Sequence, residues 1–415
     1  MKAKEFDNGL TLLVEEIPHL HSVSLAVMVG VGSSLEEEKN NGISHVIEHM
    51  LFKGTDKRSS FEISEFVDRI GGQINAYTSK DTTCYYTKTS ADHFEECCDL
   101  LSDMLFCSKF DVTEFEREKK VILEEITMGE DTPDDVCHDL VAEAFFGTNP
   151  FGKTIIGTAE TVKSFTADDL RNFMRKFYNP KNIVITVAGN VTFENAIKIV
   201  DRYFAKNFQN RGETFAVEPT APCGKYLCRH KDIEQAHLAF AFPSVGADDE
   251  RLIPINVLSN IMGGGMSSRL FQKIREENGM AYSVFSYVST YAKNGYFEIY
   301  AGTNPENIEI VCKLLRQEIA QLLKDGITDE EFLRGKEQLK GGLILSRENS
   351  LNVATTAGTY LLKTGKLYNA EEKIAAIEKT TKQQVEEVIP YVFGGTAAAS
   401  FVGKKQFEKN ILEII

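Results

Sequence analysis

The chain is expected to be an α+β protein: two homologous α/β sandwich domains from an internal duplication, with helices packed on a mostly antiparallel sheet. Three observations predict it. The sequence reads as one unit written twice, since HSVSLAVMVGVGSSLEEE (His21 to Glu38) and QAHLAFAFPSVGADDE (Gln235 to Glu250) each give an apolar strand, a turn and an acidic lead into a helix. Within each copy a strand-rich stretch precedes a helix-rich one, which is the pattern of helices laid on a sheet. The 415 residues, 42% hydrophobic and 26% charged, suffice to build two cores.

The elements follow in order. After the first strand, GISHVIEHMLF has the spacing of a helix whose apolar residues Ile43, Val46, Ile47, Met50 and Leu51 are buried. FEISEFVDRIGGQINAYTSKDTTCYYTKTS then reads as helix, loop and strands rich in Tyr and Thr. Helices are expected from Ala91 to Cys107 and from Thr113 to Met128. Lys206 to Lys225, polar with two prolines and two glycines, reads as a linker. The expected domains are therefore 1–205 and 226–415, joined by 206–225.

In the second copy INVLSNIMGG is the matching helix. RLFQKIREENGMAYSVFSYVSTYAKNGYFEIYAGTN repeats the helix, loop and strands, and helices are expected over Pro305 to Lys324 and Thr328 to Arg347. The run Gly263-Gly264-Gly265-Met266-Ser267-Ser268 is not followed by the GK[ST] of a phosphate loop, and reads as a flexible or closely packed turn ending the Asn256 helix.

Chemistry concentrates in HVIEH, residues 45–49. On a helix, His45 and His49 lie one turn apart and their rings reach one metal ion. Glu48 shares that face and can stand beside a metal-bound water without ligating the metal. The order is the inverse of the HExxH zinc-protease motif. At an offset of about 211 residues His45, Glu48 and His49 meet Asn256, Ser259 and Asn260, so the second copy keeps the helix and lacks the metal chemistry. Zinc needs a third ligand, and EREKKVILEEI offers Glu118 and Glu125, seven residues apart on one helix face, with Val121, Ile122 and Leu123 expected to fix that helix to the core. One of the two glutamates can bind metal while the other holds an imidazole N–H. His93 and His138 lack partners at useful spacing and are expected on the surface.

The formal net charge of −15 argues against a nucleic-acid partner and suits basic peptides better. No stretch is apolar over a membrane-spanning length, and no signal core or transit peptide is evident. Eight scattered cysteines without a C-x-x-C pair point to reduced thiols and a cytoplasmic protein. A zinc-stabilised structural domain would show a cysteine-rich, four-ligand cluster, and none is visible.

Three runs in order, GISHVIEHMLFKGT, NAYTSKDTTCYY and EREKKVILEEI, resemble the pitrilysin family of inverted-zinc metallopeptidases. They match in particular its two-domain branch, which includes mitochondrial processing peptidase and its bacterial relatives. The resemblance covers essentially the whole chain. It implies one zinc ion per chain held by His45, His49 and Glu125, with Glu48 as catalytic base and Glu118 supporting. It implies that Asn75 and Ala76 open an edge strand that pairs with an extended substrate. Arg275 and Tyr282 match an Arg and a Tyr that face the zinc, one holding substrate backbone and the other donating to the oxyanion. The expected activity is zinc-dependent endopeptidase cleavage of short or unfolded peptides in a closed chamber, by a homodimer in which Arg275 and Tyr282 act across the interface. The alternative is a non-catalytic peptide-binding or scaffold subunit, which would be marked by loss of a ligand or of Glu48. All are intact here.

Overall fold

A computed structural model describes residues 1–208, 212–404 and 411–414. Of the expected linker, residues 209–211 lie outside the described residues. The strands are β1 (Lys2–Glu5), β2 (Thr11–Glu16), β3 (Ser22–Val29), β4 (Gln73–Thr78), β5 (Thr83–Ser90), β6 (Ile183–Gly189), β7 (Tyr226–His230), β8 (Ala236–Pro243), β9 (Ala281–Thr290), β10 (Gly295–Thr303) and β11 (Ala398–Gly403). The helices are α1 (Ile43–Leu51), α2 (Ser60–Arg69), α3 (Phe94–Cys107), α4 (Val112–Glu130), α5 (Pro133–Phe146), α6 (Ala159–Ser164), α7 (Ala167–Phe177), α8 (Phe193–Tyr203), α9 (Leu252–Gly263), α10 (Ile308–Asp325), α11 (Asp329–Ser346), α12 (Ser350–Thr364), α13 (Ala370–Lys379) and α14 (Lys382–Phe393).

The duplication is written in the sheets. The first runs β1-β2-β6-β3-β5-β4 and the second β7-β11-β8-β10-β9. Apart from the added β1, the two orders are the same, strand for strand. Each sheet has one parallel pair, β2 with β6 and β7 with β11, and its other pairs are antiparallel. The fold is α+β with two mostly antiparallel sheets, as the sequence predicts.

Each unit buries its own core. In the first, Val23, Leu25, Val27 and Val29 of β3 alternate onto the side covered by α1 and α3, joining Val46, Ile47, Met50, Leu101 and Met104. In the second, Leu238, Phe240 and Phe242 of β8 meet Leu258, Ile261, Leu315 and Val388. The central strands are buried on both faces, with isolated polar residues such as Ser24, Thr186, His237 and Glu298 among their apolar ones.

The compact units are not consecutive halves of the chain. The first comprises Met1–Ile126, Thr154–Val217 and Ser346–Asn369; the second comprises Thr127–Lys153, Glu218–Leu345 and Ala370–Ile415. Relative to the expected division at 1–205 and 226–415, two segments lie on the other side of the line. Helix α12 packs on β2, β3 and β6, with Gly358 so close to the sheet that a Cβ would stand 2.7 Å from Met28 Cγ. Helix α5 packs on β7, β8 and β11, where Ser400 Oγ donates to the Cys137 carbonyl at 2.7 Å. Helical periodicity states that a face is apolar and leaves open which sheet will cover it.

Smaller differences have local causes. Val121 is 51% exposed, so α4 is held instead by Phe115 and Ile122, with Leu123 and Ile126 packed beside them. The glycine run after α9 is a closely packed turn at its start, where a Cβ on Gly263 would lie 2.3 Å from the Ser286 amide nitrogen. His138 is not a surface residue without a partner. It bonds at 2.5 Å to Glu298, whose side chain is fully buried, a contact across 160 residues that no local spacing announces. His93 pairs with Glu96.

Candidate metal centre

Helix α1 begins at Gly42, whose φ of 97° is left-handed and whose missing Cβ would stand 2.6 Å from the Ile156 carbonyl oxygen. No side chain at that position caps the helix. The cap comes from Glu36, 2% exposed, in the loop after β3. One carboxylate oxygen accepts from the Gly42 N–H at 2.7 Å and from Asn41 Nδ2 at 3.1 Å, and the other accepts from the Ser44 N–H at 2.9 Å. These bonds satisfy amides that the first helical turn leaves unpaired. Burial pushes the Glu36 carboxyl above its usual range, opposed by the same hydrogen bonds.

Below this cap, Ile43, Val46, Ile47, Met50 and Leu51 are buried, while His45, Glu48 and His49 share the partly open face. The two imidazoles lie 4.6 Å apart between ring centroids. Helix α4 runs alongside and presents Glu118 and Glu125, two turns apart. His45 Nε2 is 3.7 Å from one Glu125 oxygen and His49 Nε2 is 3.4 Å from the other. Ligand atoms of His45, His49 and Glu125 all lie within 4.8 Å of one another. A tetrahedral zinc site with bonds of roughly 2.0–2.2 Å has edges of roughly 3.3–3.6 Å, close to the two imidazole-to-Glu125 separations.

The protonation pattern also fits a metal. Burial, then the neighbouring His49, push the His45 imidazole down to about 4, so the ring is neutral and keeps a lone pair. Its Nδ1 is buried without a hydrogen-bond partner among the described residues. His49 differs. Burial opposes its charging, but the bonds to Glu118 and Glu125 outweigh burial and raise it to about 9. Glu118 takes the Nδ1–H at 2.8 Å and Glu125 faces Nε2, where a divalent cation would stand in for the ring's second proton. The second oxygen of Glu118 takes Lys53 Nζ at 2.7 Å. Burial raises Glu118, and the partners His49 and Lys53 more than reverse this, holding it below the usual carboxylate range.

Glu48 stands outside the ligand triad. Burial pushes its carboxyl up, and Thr78, whose hydroxyl donates to it at 2.5 Å, pulls it down. Thr78 ends β4, which is an edge strand of the first sheet. Asn75 is exposed on that strand, and the Ala76 N–H donates to Asn75 Oδ1 at 2.8 Å.

The first unit therefore brings together His45, Glu48, His49, Glu118 and Glu125, with Asn75 and Ala76 on the adjoining strand. Arg275 and Tyr282 lie together in the second unit. The Arg275 guanidinium sits 4.7 Å from the Phe271 ring centre and 5.0 Å from that of Tyr282, which is 74% exposed. Arg275 rides on a π-helical turn, Phe271–Glu276. Sequence reasoning missed Glu36, Lys53 and Thr78. Only Thr78 carried a usable signal, since strand alternation places it on the same face as Ile74 and Ala76.

Comparison with known proteins is consistent along the chain. A family model described as insulinase (peptidase family M16) matches residues 11–159, and one described as peptidase M16 inactive domain matches residues 164–339. An uncharacterized zinc protease of Bacillus subtilis, YmxG, is 41% identical over 93% of this chain and 94% of its own length. An uncharacterized zinc protease of Streptomyces coelicolor is 37% identical over 95% of this chain and 88% of its own. Among solved structures, a protease from Helicobacter pylori superposes with a TM-score of 0.88 at 23% identity over 97% of this chain and 99% of its own. A chain of complex III2 from Candida albicans has the same fold, with a TM-score of 0.86 at 19% identity over 100% of this chain and 99% of its own.

Proposed function

The chain belongs to peptidase family M16, in its two-domain pitrilysin-type branch, and from that premise we propose that it is a zinc-dependent endopeptidase acting on short or unfolded peptides. The observation that carries the reading is the convergence of His45, His49 and Glu125 around one point, with a further carboxylate, Glu48, beside them and free of the triad. The names of the relatives, zinc proteases, support the choice of metal.

His45 and His49 through Nε2, and Glu125 through its carboxylate, would hold the ion. Zinc, when bound there, supplies a Lewis acid that polarises a peptide carbonyl and acidifies water. Glu48 takes the proton of the attacking water as its oxygen bonds to the carbonyl carbon. When the C–N bond breaks, Glu48 returns that proton to the amine nitrogen. Its raised pKa suits both roles. Glu118 fixes the His49 ring by accepting its Nδ1–H. The β4 edge, at Asn75 and Ala76, takes the substrate backbone as an added strand once Asn75 Oδ1 releases the Ala76 amide.

The finer assembly belongs to the same proposal. Arg275 and Tyr282 would serve the metal centre of a partner chain in a homodimer that encloses the substrate. Their pairing and the exposure of Tyr282 support this. No described helix is long and apolar enough to cross a membrane, and all eight cysteines are free thiols, which suits a cytoplasmic setting.

The test is cleavage of a quenched, basic, unstructured peptide by the zinc-loaded chain and by Glu48→Gln. Turnover should collapse in the variant, and equal turnover in both would remove Glu48 from its role. A second reading, a peptide-binding subunit without turnover, is left open by the inactive-domain model over residues 164–339. It predicts peptide binding with zinc present and no cleavage by either protein.

A further inference from the structure

The base proposed above sits on a long side chain, on the open face of its helix. Between its apolar neighbours and the solvent, something must fix which way its carboxylate points. Among the described residues, one hydrogen bond does so: the Thr78 hydroxyl donates to Glu48 Oε2. We infer that Thr78 is a positioning residue for Glu48, holding one carboxylate oxygen so that the other is presented for proton transfer. The inference rests on the reading of Glu48 as base.

Three features suit Thr78 to this task. The donor has a single, β-branched side-chain torsion on a strand, so it arrives with little freedom to lose. It terminates the β4–β5 ladder opposite Thr83, and the connecting turn is braced: Ser79 N–H donates to the Thr82 carbonyl at 2.7 Å, and the Ser79 and Thr82 hydroxyls meet at 2.9 Å. Thr83 Oγ1 in turn donates to the Val31 carbonyl at 2.8 Å, fixing the hairpin to the strand before it. The third feature is location. Thr78 lies two residues from Ala76 on the same strand face, so the element offering backbone to a substrate also carries the anchor of the base. A peptide added to β4 is thereby held in register with Glu48 through one short, rigid piece of chain. An O–H to carboxylate bond is among the stronger neutral-to-charged hydrogen bonds, and it is directional.

The test compares Thr78→Val, which keeps the shape and removes the donor, with Thr78→Ser, which keeps the donor and removes a methyl. Each is made in the full chain and loaded with zinc. Thr78→Val should retain one zinc per chain and the wild-type melting temperature, while kcat on the quenched peptide falls by about 10- to 100-fold with KM within about twofold. Thr78→Ser should return kcat to within about threefold of wild type. Wild-type kcat in Thr78→Val, equal impairment in both variants, or a change confined to KM or zinc content would each overturn the inference. Crystal structures of the wild type and Thr78→Val give a readout independent of turnover: the Glu48 carboxylate should leave its position in the variant, and an unmoved carboxylate overturns the inference. Wild-type inactivity together with a displaced carboxylate would sink the peptidase reading while upholding Thr78 as the group that holds Glu48.

Discussion

Helices α1 and α9 hold the same place in two copies of one architecture, each following the strand at the centre of its sheet. Yet one keeps a face of titratable side chains partly open and the other is covered. On α1 the open face carries His45, Glu48 and His49, and α4 stands far enough away to fill the gap with Glu118 and Glu125. On α9 the corresponding side chains are turned inward. Asn256 bonds its own helix at the Leu252 carbonyl, Ser259 meets Ser286, and Asn260 donates to the Gly335 carbonyl of α11. A Cβ on Gly335 would lie 2.8 Å from Ile261 Cγ1, so α11 lies flush on α9 at this point. The difference teaches that the candidate metal site depends on the gap between two helices as well as on the motif.

The sharpest way to break that comparison is to move the motif. The triple change Asn256→His, Ser259→Glu, Asn260→His should leave the zinc content at one per chain, whereas His49→Ala should abolish both zinc and turnover; elemental analysis reads the stoichiometry. Two zinc ions in the triple variant would mean that the motif suffices. Next in size is the cap. Glu36→Ala strands the buried Gly42 and Ser44 amides and should cost about 2–4 kcal/mol in urea unfolding. Arg251, at the start of α9, makes no side-chain cap bond, and its truncation to alanine should cost about 1 kcal/mol, through loss of the exposed pair with Asp249 and the stacking on Tyr391. A smaller effect is expected from Glu118→Gln, which keeps an acceptor for His49 and removes the charge: zinc affinity should fall by about 10- to 100-fold, measured by competition with a chelator.

The smallest effect concerns a histidine–glutamate pair of the second unit. In the second unit His138 binds Glu298, which also accepts from Tyr287 at 2.5 Å. Burial pulls the His138 imidazole down, and Glu298, aided by Asp134 and Asp135, raises it above its ordinary value. A raised folded pKa stabilises fully below the unfolded value of about 6.5 and is lost as pH rises through the folded one. The stability advantage of wild type over His138→Gln should therefore be largest in mild acid and shrink on the alkaline side. An advantage growing with pH would show that His138 is neutral in the fold.

The sequence carried the local half of this molecule. HxxEH fixes which rings share a helix face, the repeat predicts a second sheet, and the seven-residue spacing of Glu118 and Glu125 puts both on one face of their helix. What it could not carry depended on distant partners. Nothing in the acidic triplet Glu36, Glu37, Glu38 marks the first as the one that is buried under a helix. Val121 obeys the apolar pattern and faces solvent, while Glu118 breaks it and is buried, because Lys53 and His49 meet it there. His138 found its partner on a strand 160 residues away.

The reciprocal placement of α5 and α12 has a consequence for how the protein is born. The first sheet is complete in its strands once β6 has been made, but the helix that covers its other face ends at Thr364, roughly 160 residues after α8. At synthesis rates of roughly 5–20 residues per second, the apolar side formed by Leu13, Ala26, Met28 and Val184 waits roughly 8–30 s on the ribosome without its cover. That interval is a window for chaperone capture. A stop codon placed between the two copies would release a nascent chain with one sheet face bare and α5 without a sheet to receive it.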